Sequence, residues 1–176
     1  MKLRAARASD LDAIRSLYLE AFPEEERELV AELAARLLSE PSTPPTISLV
    51  AELDSDIVGH VAFSPVSCTS DPEFRGSILA PLAVSPSQQK RGIGGRLVDM
   101  GKEEVMKSGA DVIFVYGDPA YYGRFGFLPD ALTTYRPAYE LQYPFGWQFL
   151  PFGERTVESP PVEIECVDAL SDPRLW

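Results

Sequence analysis

The chain is poor in the residues that build metal and nucleophile sites. It carries one histidine, His60, and two cysteines, Cys68 and Cys166, which lie far apart and form no CxxC pair. A zinc site of the usual kind needs four Cys or His ligands, so no metal centre is expected. A Ser/His/Asp triad would have to run through His60, and no G-x-S-x-G elbow accompanies it. No apolar run approaches the ~20 residues that cross a bilayer, and the opening MKLRAARASDLDAI lacks the apolar stretch of a signal peptide. Basic residues are scarce too: 16 Lys and Arg stand against 27 Asp and Glu, a net charge of -11. That argues against nucleic-acid and anionic-membrane partners, both of which need clustered cations. The expectation is a reduced, cytoplasmic protein whose acidic surface favours cationic small molecules.

With 176 residues, 45% hydrophobic and 24% charged, the chain is long enough for one domain and short for two. No internal repeat or linker divides it, so residues 1–176 read as a single domain. Residues 2–7 read as a strand. Ser9, three before Asp12, reads as a capping-box start for a helix bearing Leu11, Ile14, Leu17, Tyr18 and Ala21. A second amphipathic helix carries Leu29, Val30, Leu33, Leu37 and Leu38 and opens on Glu24, Glu25, Glu26 and Glu28. Acidic residues favour a helix N-terminus, which accounts for that cluster without any function.

Two apolar runs, Ile47–Leu53 and Ile57–Val66, flank Asp54-Ser55-Asp56 and predict a hairpin. Ser77–Val84 is a further strand, and Ile93, Leu97, Val98, Gly101 and Val105 keep helical spacing after a glycine-rich loop. Asp111–Tyr116 is apolar enough to be a central strand. The aromatic run Tyr135–Phe152 nearly alternates, as do Val162, Ile164 and Cys166, and both are expected as strands. The order predicts a mixed α/β fold with a crossover at its centre.

The loop Gln89 to Arg96 has a strand before it, a helix after it, and glycines at 92, 94 and 95. Glycines there let backbone N–H groups converge on an anion, and the helix N-terminus adds partial positive charge. It is neither of the two familiar phosphate loops. Leu97 stands where a dinucleotide fingerprint needs its third glycine, and the Gly-Lys-Ser/Thr ending of a Walker loop is missing. Leu97 thereby disfavours a nucleotide-binding oxidoreductase. A glycine-rich helix start without a ligand is the plain alternative.

Gln89-x-x-Gly92-x-Gly94, preceded by Ile78–Val84, resembles the acetyl-CoA-binding motif of the GNAT superfamily of N-acetyltransferases. Gly117-Asp118-Pro119-Ala120-Tyr121-Tyr122-Gly123-Arg124-Phe125-Gly126-Phe127, with Gly59-His60 and Phe63-Ser64-Pro65, is similar to its YhbS-like subgroup. The likeness covers residues 2–130 well and the remainder loosely. It implies a mostly antiparallel sheet with splayed central strands and flanking helices. It implies acetyl-CoA as cosubstrate, no metal, and direct attack by a primary amine in a ternary complex.

By the same resemblance, the amides of Arg91, Gly92, Ile93, Gly94, Gly95 and Arg96 cradle the CoA pyrophosphate and Gln89 shapes the loop. Leu82, Ala83 and Val84 present backbone groups to pantetheine, and Tyr122 protonates the departing thiolate. Tyr122 also suits plain aromatic packing, the role expected of Tyr121. Asp118 and Pro119 depart from the Asn-containing version common in the superfamily, which leaves their role open. The general base is unassigned: His60 suits a base, a structural role or an exposed position. By the resemblance, Glu24, Glu25, Glu26 and Glu28 lie where the first two helices border the acceptor site, one of them suited to attract or deprotonate an amine. The acceptor is a small-molecule or protein amine, with a cationic one favoured by charge. The run Tyr135–Phe152 suits an acceptor pocket or a homodimer interface, with core packing as the plain alternative. A non-catalytic acyl-CoA-binding or regulatory module is the rival reading, against which Tyr122 stands.

Overall fold

The computed structural model describes residues 1–152 and 161–176. Strand β2 (Ile47–Leu53) shows how the sheet is built, because Leu49 and Ala51 enter one core while Val50 enters another. Such alternation follows from side chains pointing to opposite faces along a strand. Strand β1 (Lys2–Ala5) pairs with β2, and β2 with β3 (Asp56–Cys68), both antiparallel. The hairpin between β2 and β3 turns on Asp54 and Ser55, both at positive φ (50° and 76°). That conformation matches the twist of a two-residue hairpin.

Strand β4 (Gly76–Val84) lies antiparallel to β3, and β5 (Val112–Tyr116) lies parallel to β4. Strand β6 (Tyr135–Arg136) runs beside β8 (Val162–Cys166), β7 (Trp147–Pro151) covers β5, and β8 extends the β2 edge of β3. The result is an eight-stranded, mostly antiparallel sheet with the path β1-β2-β3-β4-β5-β7.

Helix α3 (Ile93–Lys107) covers one face of the sheet, against Val61, Phe63, Leu79, Ile113 and Val115. Helices α1 (Leu11–Ala21) and α2 (Arg27–Ser39) cover the other, with Ile14, Tyr18 and Ala34 around Val50 and Ala83. The C-terminal segment continues that second layer: Trp147 stacks on Phe114 with centroids 5.2 Å apart. Each fully buried side chain of this size contributes about 1.5–3 kcal/mol.

Two sequence expectations need correction. Helix α1 does not start on a Ser9 capping box. A 3₁₀ turn, Ala8–Asp10, leads into it, and the Asp10 carboxylate accepts the Arg7 N–H at 2.7 Å and two Arg4 bonds at 2.7 and 3.0 Å. The charge-assisted pair with Arg4 draws Asp10, not Ser9, into the cap. The alternation of Tyr135–Phe152 yields only the short β6 and β7, because prolines 137 and 144 remove ladder donors between them.

The splay comes from one bulge. Val61 faces Leu82 but Phe63 faces Leu79, so β4 has an extra residue at Ala80-Pro81. Proline, lacking an N–H, is tolerated in strands at such bulges, which bend the strand that carries them. Pairing with β5 ends at Leu79–Val115, and beyond it β4 and β5 part.

Candidate active site

The residues Leu82, Ala83 and Val84 lie on β4 beyond the bulge. The Ser85 N–H bonds the Val58 carbonyl at 2.9 Å, in register with the Ala83–His60 and Val84–Gly59 partners. Bonded and non-bonded pairs alternate in an antiparallel ladder. Ala83 therefore turns its backbone groups to β3, whereas Leu82 and Val84 turn theirs toward the gap left by β5. The Val84 carbonyl accepts the Gln89 side-chain amide at 3.1 Å, which ties the glycine loop to this edge.

Gly92 caps α3 with φ of 77° and no side-chain cap. A Cβ built on Gly92 would meet nothing within 4 Å, so the space beside the helix start is open. The first intrahelical bond, from Arg96 N–H to the Gly92 carbonyl at 3.1 Å, already uses the Arg96 amide. The first-turn amides of Ile93, Gly94 and Gly95 have no such intrahelical partner. No acidic residue sits in the first turn of α3, unlike Glu28 in that of α2. Lys90, Arg91 and Arg96 concentrate positive charge around this loop in an otherwise acidic chain.

The other two loop glycines serve contacts as well. A Cβ on Gly94 would lie 2.7 Å from the Tyr121 hydroxyl, and one on Gly95 would lie 3.3 Å from the Phe125 ring. The glycine loop and the aromatic segment thus pack directly on each other. Lys102 of α3 adds a 2.7 Å bond to the Phe125 carbonyl, and the Arg124 guanidinium sits 4.6 Å from the centre of the Tyr121 ring. Tyr121 packs, as expected from the sequence.

Tyr122 ends the short helix α4 (Pro119–Tyr122). Asp118 caps that helix, accepting the Ala120 N–H at 2.8 Å, and this is the role the sequence left open. Gly117, just before it, donates its N–H to the carbonyl of Gly146, which precedes β7 (2.9 Å), and its carbonyl accepts Nε2 of Gln148 on β7 (3.1 Å). The Tyr122 ring meets Tyr121 and Phe127 edge-on, at 5.0 and 5.8 Å. Burial raises its phenol well above the ordinary value, and nearby Tyr121 adds to the shift. Tyr122 therefore keeps its proton through the neutral range.

A cavity of about 560 Å³ opens where β4 and β5 part. Leu79 to Leu82 form one wall, Tyr116 to Asp118 with Tyr121 and Tyr122 a second, and Phe22, Glu26 and Val30 a third. Leu170, Leu175 and Trp176 close it from the C-terminal segment. Phe22, Tyr116 and Trp176 were not singled out from the sequence. No periodicity marks them as lining one space, because they come from three separate turns and strand ends. His60 does not reach the cavity. It is fully buried under α1, with Tyr18 Oη 2.9 Å from Nδ1 and Ser48 Oγ 2.8 Å from Nε2, and burial lowers its pKa to about 3. Both ring nitrogens are occupied, so the structural role holds and the base role does not.

Among the described residues, no cluster of His, Cys, Asp and Glu is placed to hold a metal ion, and no helix is long and apolar enough to cross a membrane.

Comparison with known proteins agrees with this geometry. The acetyltransferase (GNAT) family pattern matches residues 11–127. The uncharacterized N-acetyltransferase YjhQ of Escherichia coli strain K12 is 38% identical over 137 residues, covering 74% of this chain and 71% of that protein. The crystal structure of E. coli YhbS, a GNAT family N-acetyltransferase in complex with CoA, superposes with a TM-score of 0.83. It is 25% identical and covers 97% of this chain and 92% of that one. A GNAT family acetyltransferase of Brucella melitensis in complex with acetyl-CoA gives 0.69 at 30% identity, covering 96% of each. The chain belongs to the acetyltransferase (GNAT) family, as a YhbS-like acyltransferase.

Proposed function

We propose that the protein is an N-acetyltransferase that moves the acetyl group of acetyl-CoA to a primary amine by direct attack in a ternary complex. The observation that carries this reading is the convergence on one cavity of the half-buried Tyr122 side chain and the outward backbone edge of β4. The uncapped start of α3 adjoins that edge through the Gln89–Val84 bond.

Acetyl-CoA supplies an acyl group activated as a thioester. The chain fits it: the open space at Gly92, the free amides of Ile93 to Gly95 and the cations at 90, 91 and 96 suit a pyrophosphate. The Arg91 and Gly92 amides complete that cradle. Arg96 contributes charge, since its amide is already bonded. Leu82 and Val84 offer N–H and C=O groups to the amides of pantetheine, much as a sheet edge receives a peptide, and Ala83 fixes their register. An outward N–H of this edge also meets the oxygen on which negative charge develops.

Tyr122 Oη gives its proton to the departing sulfur as the nitrogen–carbon bond forms and the carbon–sulfur bond breaks. It regains a proton from the acylated nitrogen, directly or through water, so the balance closes on amide and thiol. The two free cysteines fit a reducing cytoplasm, and the net charge of -11 fits a protein without nucleic-acid partners.

Calorimetric titration tests the reading, with NADH and ATP as controls. Saturable acetyl-CoA binding, weakened in Gly92→Val, is the expected result. No binding at millimolar acetyl-CoA overturns it.

A further inference from the structure

The walls of the cavity at the splay are mostly apolar and aromatic. Phe22, Tyr116, Tyr122 and Trp176 face it from four different segments. Among the described residues, the side-chain carboxylates that line it are Glu26 and Asp118. Asp118 is engaged as the cap of α4. Of the other glutamates in the run, Glu24 lies 3.5 Å from Arg27, Glu28 lies 3.6 Å from Arg15, and Glu25 does not line the cavity. Among the described residues Glu26 has no ion pair, and it sits on the cavity wall at the start of α2. The structure thus separates Glu26 from the rest of an acidic run that the sequence leaves undivided.

We infer that the acceptor is a small monoamine carried on an aromatic or compact apolar body, with Glu26 binding its ammonium group and setting specificity; the bound ammonium gives its extra proton to water before the neutral nitrogen attacks. This rests on the amine-acetyltransferase reading above. One unpaired carboxylate neutralises one ammonium, and aromatic faces attract a cation and cover an apolar body. A polyamine or an aminoglycoside brings several ammonium groups; Asp118, whose Oδ1 already accepts the Ala120 N–H, is left to meet one of them, and any beyond that would lose its hydration without a partner. The volume, about 560 Å³, is that of a small-molecule site. The charge of the whole chain alone favours polycations; the local walls outweigh it, because the other side-chain carboxylates of the described residues lie outside the cavity.

The test is a set of initial-rate measurements on the full chain with acetyl-CoA and four acceptors: phenethylamine, spermidine, kanamycin and a lysine-containing peptide. Phenethylamine is expected to show a kcat/KM at least about tenfold above the other three. Glu26→Gln is expected to raise the phenethylamine KM about tenfold while kcat stays within about threefold. Its acetyl-CoA Kd and melting temperature should not move, which separates lost recognition from lost structure. Preference for spermidine, kanamycin or the peptide overturns the proposal and leaves amine acetylation standing, as does a KM that Glu26→Gln does not change. Acetyl-CoA binding with no amine acetylated overturns both.

Discussion

Tyr122 owes its position to Gly117. A Cβ on Gly117 would lie 2.6 Å from Cε2 of the Tyr122 ring, closer than real side chains approach. Gly117 is held from behind by Gly146 and Gln148, so the ring has to yield rather than the backbone. Gly117→Ala is expected to cost about 1–3 kcal/mol of stability through overpacking. With the phenol displaced by about 1 Å, acetyl transfer should fall on the order of 10²-fold. Thermal melting and steady-state rates measure the two effects; an unchanged rate in a destabilised protein would detach Gly117 from the chemistry.

Removing the hydroxyl alone is the cleaner cut. Tyr122→Phe keeps the ring and its edge-on contacts with Tyr121 and Phe127. Loss of a general acid lowers kcat by about 10²–10⁴-fold, while the acetyl-CoA Kd stays as it was. Burial places the Tyr122 ionisation above the usual phenol value of 10.0, so the wild-type rate should show no downturn from Tyr122 as pH rises from 7 to that value. A downturn that vanishes in Tyr122→Phe would mean that the phenol is far less buried.

Two glycines of the same helix make opposite predictions. Gly101 faces Phe63, whose Cε2 would lie 1.9 Å from an added Cβ, so α3 rests on β3 at this point. Gly101→Ala should destabilise the fold by about 1–3 kcal/mol or more, and urea melts measure it. Gly92 has open space but a φ of 77°, so Gly92→Ala carries a backbone strain of about 1–2 kcal/mol. On the proposed pyrophosphate site, Gly92→Ala should weaken acetyl-CoA binding on titration, whereas Gly101→Ala should leave the Kd of the folded fraction unchanged.

The central fold was legible because its signals are local. The hairpin at Asp54-Ser55 and the strand–loop–helix at Gln89 to Arg96 are each written in a few adjacent residues. What was illegible depends on partners distant in sequence. His60 meets Tyr18 from 42 residues away, and nothing near His60 announces that both ring nitrogens are taken. Glu26 cannot be told from Glu24, Glu25 or Glu28 until the cavity selects it. The glycines at 94 and 95 read as anion-loop residues, and no sequence signal shows that a Cβ at either would also crowd Tyr121 or Phe125. Trp176 closes the cavity from a 3₁₀ turn that carries no periodicity to read.

The buried histidine predicts an acid-side loss of stability. Its folded pKa is depressed to about 3 from an ordinary 6.5, chiefly by burial, with Asp10 opposing. Between those values the unfolded chain holds the proton and the folded chain does not. Stability is therefore fully present above pH 6.5 and declines as pH falls toward 3, by about 1.4 kcal/mol per unit. Asp10, whose pKa Arg4 lowers, adds its own loss only below its ordinary 3.8, so the slope between pH 6 and 4 belongs to His60. Urea denaturation at pH 7, 6, 5 and 4 measures the slope in wild type and in His60→Gln. The variant starts less stable, having disturbed the bonds to Tyr18 and Ser48, but its curve should be flatter by about 1.4 kcal/mol per unit over pH 6 to 4. Parallel curves would show that the imidazole is not buried in neutral form. In that event an acidic limb near 6.5 in the rate profile would return His60 to the chemistry, and the absence of such a limb is the companion expectation here.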